Sequence, residues 1–250
     1  MHLFDISGKV AVITGGSRGI GKGLAEGFAR AGVNIAIVSR NVGPEVTDSI
    51  EALGVKCKGY NFDLANFAEY DELVANVLKD FGTVDILVNN AGVQRRHPSE
   101  EFPKSDWDFV MGINCDAVFF MCQAFGRVML EKGSGKIINM ASMLSYQGGY
   151  IVPAYTASKS AVLGFTRSLA NEWASRGVNV NAIAPGYIDT EMNAALKGDP
   201  TRNEQILSRI PIGRWGDPED LVGTALFLAS PASNYINGFT IAVDGGWMGR

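Results

Sequence analysis

The sequence predicts an α/β fold, in which a doubly wound sheet of about seven parallel strands carries helices on both faces. Short β-branched runs alternate with amphipathic stretches along most of the chain, which is the pattern of successive strand-helix-strand units. Runs such as DILVN at 85–89 lack polar alternation, as expected of strands buried on both faces. The 250 residues contain no linker, repeat or low-complexity tract, so we predict a single domain over 1–250.

Seven strands are predicted, each as a short apolar run bounded by turn residues. They are KVAVIT at 9–14, NIAIVS at 34–39, VKCKGY at 55–60, VDILVN at 84–89, GKIINM at 135–140, VNVNAIA at 178–184 and FTIAV at 239–243. The segments between them predict helices. One of them, 66–81, carries apolar residues at the three- and four-residue spacing of one helix face, which would cover the sheet.

Composition argues against several functional classes. A formal net charge of −4 does not favour general binding of nucleic acid or of an anionic membrane. The first residues lack the basic segment and apolar core of a secretion signal, and no apolar run approaches the roughly 18 residues of a membrane span. We therefore expect a soluble, cytoplasmic protein. The 3 cysteines and 2 histidines fall at no metal-ligand spacing, so neither a disulfide framework nor a metal site is predicted.

A glycine-rich turn follows the first predicted strand, in TGGSRGIG at 14–21. Gly15, Gly19 and Gly21 would let the backbone approach a ligand closely, while the free N–H groups of the helix that starts here attract an anion. The pyrophosphate of a dinucleotide fits this description, which makes the predicted sheet Rossmann-type. A pure packing role for the glycines is the alternative.

The end of the second predicted strand bears on the choice of cofactor. An acidic residue is expected there when the adenosine ribose carries a free 2′-hydroxyl, but the strand ends with Ser39 and Arg40. Arg40, with Arg18 from the glycine-rich turn, would hold a 2′-phosphate through charge-assisted hydrogen bonds. The sequence favours NADP(H). NAD(H) remains possible, and Arg40 as a solvated surface residue is the alternative.

Several motifs, taken in order along the chain, indicate a family. They are TGGSRGIG at 14–21, NNAG at 89–92, Asn114, Ser142, YTASK at 155–159 and PGYIDT at 185–190. Together they resemble the short-chain dehydrogenases/reductases, and the resemblance runs the whole length of the chain. It implies hydride transfer between a nicotinamide cofactor and a carbonyl or alcohol.

The YTASK motif places a phenol and an ammonium one helical turn apart. Tyr155 and Lys159 share a helix face, and a positive charge nearby favours the phenolate and so lowers the pKa of the phenol. The resemblance implies that Tyr155 is the catalytic acid/base and that Lys159 also binds the nicotinamide ribose. It further implies that Ser142 orients the substrate oxygen and that Asn114 holds a water linking Lys159 to solvent.

The resemblance also implies a set of cofactor contacts. Those at the glycine-rich turn and the adenosine side are Gly15, Ser17, Arg18, Gly19, Ile20, Gly21, Ser39, Arg40, Asp63, Leu64, Asn89, Ala91 and Gly92. Those beside the nicotinamide are Tyr155, Lys159, Pro185, Gly186, Ile188 and Thr190. The asparagines of NNAG are expected to tie neighbouring strands together as well.

Substrate contacts are predicted in the loop after the fourth strand. Arg95 or Arg96 would bind a carboxylate there, at the edge of the sheet where such folds hold ligands; a solvated loop is the alternative. NNAGVQRR and the ending TIAVDGGWMGR look like the sugar-acid branch of the family, which includes the gluconate 5-dehydrogenases and the 2-dehydro-3-deoxy-D-gluconate 5-dehydrogenases. The implied substrate is a keto sugar acid, bound by Arg95, Arg96, Ser142, Gln147 and Tyr155.

The segment 191–215 lies where the family carries a substrate lid, and it predicts two short helices broken by Gly-Asp-Pro. Trp215 and Trp247 would contact this lid or another subunit, or pack in the core. The family resemblance implies a homotetramer. Two other functions remain open: another short-chain reductase, such as a 3-oxoacyl-carrier-protein reductase, and a non-catalytic dinucleotide-binding sensor.

Overall fold

The computed structural model describes residues 2–250, and its secondary structure follows the predicted alternation of strands and helices. The strands are β1 (Val10–Thr14), β2 (Asn34–Ser39), β3 (Cys57–Asn61), β4 (Ile86–Asn89), β5 (Gly135–Met140), β6 (Val178–Pro185) and β7 (Thr240–Val243). The helices are α1 (Gly19–Arg30), α2 (Pro44–Glu51), α3 (Tyr70–Phe81), α4 (Lys104–Met111), α5 (Ala117–Lys132), α6 (Pro153–Trp173), α7 (Ala194–Gly198), α8 (Pro200–Leu207) and α9 (Val222–Ala229). Each predicted strand is present within about two residues of its expected bounds.

The strands form one parallel sheet of seven in the order β3-β2-β1-β4-β5-β6-β7. The chain moves outward from β1 to β3 and then returns to place β4 on the other side of β1. Such a reversal leaves a crevice at the carboxyl ends of the strands, which is where sheets of this kind bind ligands. The predicted α/β class and doubly wound sheet are confirmed.

The sheet is buried on both faces, as its apolar strands predict. Within β1, Ala11 and Ile13 pack into one core layer and Val12 packs into the other. Among the helices, α1, α2 and α9 contribute buried residues to the first layer, and α3, α5 and α6 contribute buried residues to the second. Helices therefore cover both faces and hold the carboxyl ends of the strands in fixed relative positions.

The longest apolar stretch runs from 104 to 132 and joins α4, a π-helical turn at Gly112–Asp116, and α5. By length and composition alone this helical segment would suffice to cross a membrane, although charged and polar residues interrupt it and it contains no continuous apolar run of that length. Half of its most apolar part is buried inside the protein, where Met121 and Phe125 contribute to the core. A core helix passes the same test, so its apolarity has an explanation within this fold.

After β6 the chain forms the two short helices that were predicted, α7 and α8, separated at Asp199. The Asp199 carboxylate begins α8 by accepting hydrogen bonds from the backbone N–H groups of Thr201 at 3.0 Å and Arg202 at 3.1 Å. Both Trp215 and Trp247 are buried in one apolar cluster beneath this segment. The sequence predicts that the two tryptophans contact the lid or another subunit, or pack in the core. The structure shows both packed in an apolar cluster with Ile206 and Ile210 of the segment 191–215.

Candidate active site

A cleft of about 1410 Å³ opens at the carboxyl ends of the central strands. The glycine-rich turn after β1 and the segment after β6 both line it. Most of the predicted cofactor contacts line this cleft. They are Gly15, Ser17, Arg18, Gly19, Ile20, Ser39, Arg40, Asp63, Leu64, Ala91, Gly92, Tyr155, Lys159, Pro185, Gly186, Ile188 and Thr190.

The glycine-rich turn is shaped so that side chains would not fit. Gly15 and Gly19 have φ angles of +65° and +54°, in the left-handed region that favours glycine. A Cβ on Gly21 would lie 2.2 Å from the Gly15 carbonyl oxygen, so this buried glycine supports the turn and does not line the cleft. Helix α1 starts without a side-chain cap and without an acidic residue in its first turn, which leaves its N–H groups able to bind an anion.

Two arginines were predicted at the 2′-phosphate position, and their surroundings differ. Arg40 is exposed at the cleft, and its guanidinium has no hydrogen-bond or ion-pair partner within residues 2–250. Arg18 forms an ion pair with Glu191 from the segment after β6. The hydroxyls of Ser17 and Ser39 lie 3.1 Å apart beside them. Arg40 is therefore the guanidinium available to a phosphate.

The two asparagines of the NNAG motif have different surroundings. Asn89 is buried away from the cleft and donates to Asn139 Oδ1 at 2.9 Å, which ties β4 to β5. Asn90 lines the cleft, and its Nδ2 donates to the Thr14 carbonyl at 3.0 Å. The predicted direct cofactor contact of Asn89 thus needs correction, and Asn90 was missed. The side chains of neighbouring residues at a strand end point to opposite sides of the sheet. The NNAG motif alone does not show which of its two asparagines faces the cleft.

The catalytic candidates Ser142, Tyr155 and Lys159 meet above the end of β5. Ser142 begins a short 3-10 turn, and its hydroxyl accepts a hydrogen bond from the Leu144 N–H at 3.1 Å. The hydroxyl of Ser145 in the same turn donates to the Lys159 carbonyl at 2.7 Å, which fixes the turn against α6. Lys159 Nζ lies 5.7 Å from the centre of the Tyr155 ring. The predicted constellation is therefore assembled in one place.

Burial changes the pKa of both titratable groups in this constellation. It raises the pKa of the Tyr155 phenol, while the Ser142 hydroxyl acts in the opposite direction. It lowers the pKa of the Lys159 ammonium to about 8. The expectation that Lys159 lowers the pKa of Tyr155 is not met in this structure. The ammonium donates to the Met140 carbonyl at 2.6 Å, and the upward shift of the Tyr155 pKa comes mainly from burial of the phenol.

Asn114 lies in the π-helical turn and is fully buried. Its side chain accepts a hydrogen bond from the Val93 N–H at 2.8 Å, and its Nδ2 donates to the Val93 carbonyl at 2.8 Å and to Ser158 Oγ at 3.3 Å. It does not line the cleft. The side chain ties the loop after NNAG to α6, and the predicted role of Asn114 in holding a water that links Lys159 to solvent stays a prediction.

The structure distinguishes the two arginines predicted to contact the substrate. Arg95 is engaged: its Nε lies 3.4 Å from Asp106 Oδ1, and its guanidinium stacks 4.6 Å from the Phe109 ring centre. Arg96 is partly buried in the cleft, and its guanidinium has no polar partner within residues 2–250. Both line the cleft together with Gln147, but Arg96 is the one whose hydrogen-bond donors are available.

Sequence reasoning missed a further arginine that lines the cleft. Arg209 follows α8 and lies over the Trp247 ring, 4.0 Å from its centre. No spacing in the sequence relates these two residues, because they come from separate loops. The signal available was only that both lie in segments that resemble the family.

Comparison with known proteins gives a consistent set of matches. A family model described as enoyl-(acyl carrier protein) reductase matches residues 15–248. The 2-dehydro-3-deoxy-D-gluconate 5-dehydrogenase of Dickeya dadantii is 51% identical over 251 residues, covering 100% of this chain and 99% of that one. The Escherichia coli protein of the same name is 50% identical, with the same coverage. A crystal structure of gluconate 5-dehydrogenase from Burkholderia cenocepacia, in complex with NADP and tartrate, is 40% identical with a TM-score of 0.95, covering 100% of this chain and 98% of that one.

Proposed function

The chain belongs to the short-chain dehydrogenase/reductase family, and we propose that it is an NADP(H)-dependent oxidoreductase that interconverts a keto sugar acid and its alcohol. One observation carries the choice of substrate. Arg96 offers an unpaired guanidinium in the same cleft as Ser142, Tyr155 and Lys159. A planar guanidinium binds a carboxylate through two parallel hydrogen bonds, so an acid fits this site better than a neutral ketone.

The residues present fit a dinucleotide. Side chains are excluded at Gly15, where a Cβ would lie 3.0 Å from the Ala91 Cα, and the uncapped start of α1 would hold the pyrophosphate. Arg40 would hold the 2′-phosphate, and Lys159 would hold the nicotinamide ribose. When bound, the cofactor supplies or accepts the hydride. The NADP in the Burkholderia cenocepacia relative supports this cofactor, and NAD(H) remains the alternative.

The chain's own residues would manage the proton. Ser142 would hydrogen-bond the reacting oxygen and hold it beside the Tyr155 hydroxyl. A raised pKa keeps this phenol protonated near neutral pH, which is the form that donates a proton to a carbonyl oxygen in reduction. In oxidation the phenolate must accept the proton, and the charge of Lys159 then favours that form.

An acyl-carrier reductase is the runner-up, because the matching family model carries that kind of description. An acyl chain requires an apolar channel, whereas this cleft presents two guanidiniums, those of Arg96 and Arg209, that have no hydrogen-bond or ion-pair partner within residues 2–250. A sensor without catalysis is disfavoured because Ser142, Tyr155 and Lys159 are assembled together. These contrasts support the sugar-acid function.

A substrate panel tests the proposal. Keto sugar acids, neutral keto sugars of the same length and acyl thioesters are assayed with NADPH and with NADH separately. We expect the highest kcat/KM for a keto sugar acid with NADPH. Turnover of acyl thioesters with none of sugar acids would overturn the proposed substrate class, and no turnover of any compound would support the sensor.

We also propose a cytoplasmic homotetramer in which the segment 191–215 acts as a substrate lid. Support comes from the family resemblance and from apolar side chains left exposed on the surface, such as Phe67 and Phe120, whose rings lie 5.4 Å apart. Light scattering after size-exclusion chromatography measures the assembly. A monomer at micromolar concentration would contradict the tetramer.

A further inference from the structure

The arginines of the cleft fall into two groups according to their partners. Three are engaged: Arg18 with Glu191, Arg95 with Asp106, and Arg202 with Gln205 at 2.7 Å. Within residues 2–250, the guanidiniums of three others have no hydrogen-bond or ion-pair partner, and these are Arg40, Arg96 and Arg209. Arg40 lies at the adenosine end. With Arg40 proposed for the 2′-phosphate, Arg96 and Arg209 are the two cleft guanidiniums left with free donors for a substrate.

Arg209 has the better-defined position of the two. Its guanidinium lies over the Trp247 indole, 4.0 Å from the ring centre. Trp247 is 6% exposed and is held by an edge contact from Tyr187, with ring centres 4.9 Å apart. Trp247 belongs to the same apolar cluster as Met143, the residue that follows Ser142. The platform beneath Arg209 is thus attached to the turn that carries the catalytic serine.

The C-terminal segment also fixes the backbone around this arginine. Arg250 Nη1 donates to the Ser208 carbonyl at 2.7 Å, directly before Arg209. The Asp244 carboxylate accepts hydrogen bonds from the backbone N–H groups of Gly246 and Met248, each at 2.9 Å, and so orders the turn that carries Trp247. A guanidinium stacked on an aromatic face keeps its donors directed outward in its own plane.

We propose that Arg209, stacked on Trp247, is a second substrate-binding residue that shares the carboxylate of the sugar acid with Arg96. This inference rests on the proposed function. Arg96 follows β4 and Arg209 follows β6, while β5, which leads to Ser142, lies between those strands in the sheet. Both guanidiniums therefore come from segments that follow the neighbours of β5 in the sheet, and both line the cleft that contains Ser142. A carboxylate has enough lone pairs to accept from two arginines.

Steady-state kinetics of Arg209→Met and Arg209→Lys, at saturating NADPH, test the proposal with a keto sugar acid and with a neutral keto sugar of the same length. We expect the KM for the acid to rise about ten- to hundred-fold in Arg209→Met, with kcat changed by less than about threefold. The KM for the neutral sugar should stay the same. Arg209→Lys keeps the positive charge but loses the planar guanidinium. Its KM for the acid should therefore lie between the KM of the wild type and the KM of Arg209→Met.

Two further variants separate binding from packing. Arg202→Met removes another cleft arginine, but its donor already serves Gln205, so both KM values should stay near those of the wild type. Trp247→Phe breaks no hydrogen bond, because the indole N–H has no partner within residues 2–250, and it keeps an aromatic but smaller platform at the cost of some packing in the cluster with Met143. It should raise the KM for the acid by less than Arg209→Met does.

Several results would overturn the inference. An equal rise in KM for the acid and the neutral sugar would make Arg209 a packing residue of the segment 191–215. A second such result is a wild type that turns over the acid and an Arg209→Met variant that has the same KM for it. That result would show that Arg209 does not bind the substrate, and it would not affect the proposed function. A wild type inactive on every sugar acid would overturn the proposed function and this inference together.

Discussion

The two ends of the cleft are built in different ways. The cofactor end is made mostly of backbone: glycines with positive φ, an uncapped helix start, and strand ends fixed by the sheet. The substrate end is made of side chains from loops that are far apart in sequence, such as Arg96, Arg209 and Trp247. Backbone geometry follows from local sequence, whereas contacts between loops do not. The first end can therefore be inferred from motifs, and the second requires the folded chain.

The largest expected effect lies where the two ends meet, at Tyr155. Tyr155→Phe removes the proton donor while keeping the ring, so kcat should fall by about 10²- to 10⁴-fold. NADPH binding, measured by fluorescence titration, should change little, because the Phe ring is retained and most of the predicted cofactor contacts come from other residues. Tyr150→Phe is the matched control, since Tyr150 lines the same cleft and is 80% exposed. Substantial turnover of Tyr155→Phe at neutral pH would remove Tyr155 from the acid/base role.

A smaller effect is expected at the substrate end, where Arg96 and Arg95 can be compared directly. Arg96→Met removes an available guanidinium, so the KM for a keto sugar acid should rise about ten- to hundred-fold, with little change for a neutral sugar. Arg95→Met should change it less, because Asp106 and Phe109 already engage that side chain. An equal rise in the KM for the acid in Arg96→Met and Arg95→Met would contradict the prediction that only the arginine without a partner binds the carboxylate.

The cofactor end is tested by Arg40. Arg40→Asp places a negative charge where the 2′-phosphate would bind, so the ratio of kcat/KM for NADPH over NADH should fall by about tenfold or more. Arg18→Met should change that ratio less, since Glu191 engages its guanidinium. The measurement is initial rates with each cofactor at a fixed substrate concentration. An unchanged ratio in Arg40→Asp would make Arg40 a surface residue only.

The smallest expected effect is on stability and involves the buried Lys159. Burial lowers its pKa to about 8 from the ordinary 10.5. Between these values the folded chain binds fewer protons than the unfolded chain, so the contribution of this group to the free energy of unfolding rises with pH. Below pH 8 the cost of burying the charge is fully present. Lys159→Met should remove a rise on the order of 1 kcal/mol between pH 8 and 10, measured by urea unfolding.

Lys136 is the matched control for this pH range. It starts β5 at the end of the strand away from the cleft, and burial also lowers its pKa to about 8. Lys136→Met should reduce the same pH dependence without changing turnover, whereas Lys159→Met should reduce both. An identical pH dependence of unfolding in Lys159→Met and the wild type would show that folding does not lower the pKa of Lys159.

The sequence by itself determined the sheet, the glycine-rich turn, and Tyr155 with Lys159. Each of these depends on spacing within a single element or across one strand-to-helix turn, where backbone geometry relates residue number to position. The order of the motifs along the chain was enough to place the chain in its family.

Only the tertiary structure decided which of several chemically equivalent residues is available. Asn90 and not Asn89 faces the cleft, Arg96 and not Arg95 has free donors, and Arg209 rests on Trp247. The buried surroundings of Tyr155 and Lys159 likewise reversed the expected direction of the tyrosine pKa. In each case the partner or the burial comes from another element, and sequence spacing carries no information about distances between elements.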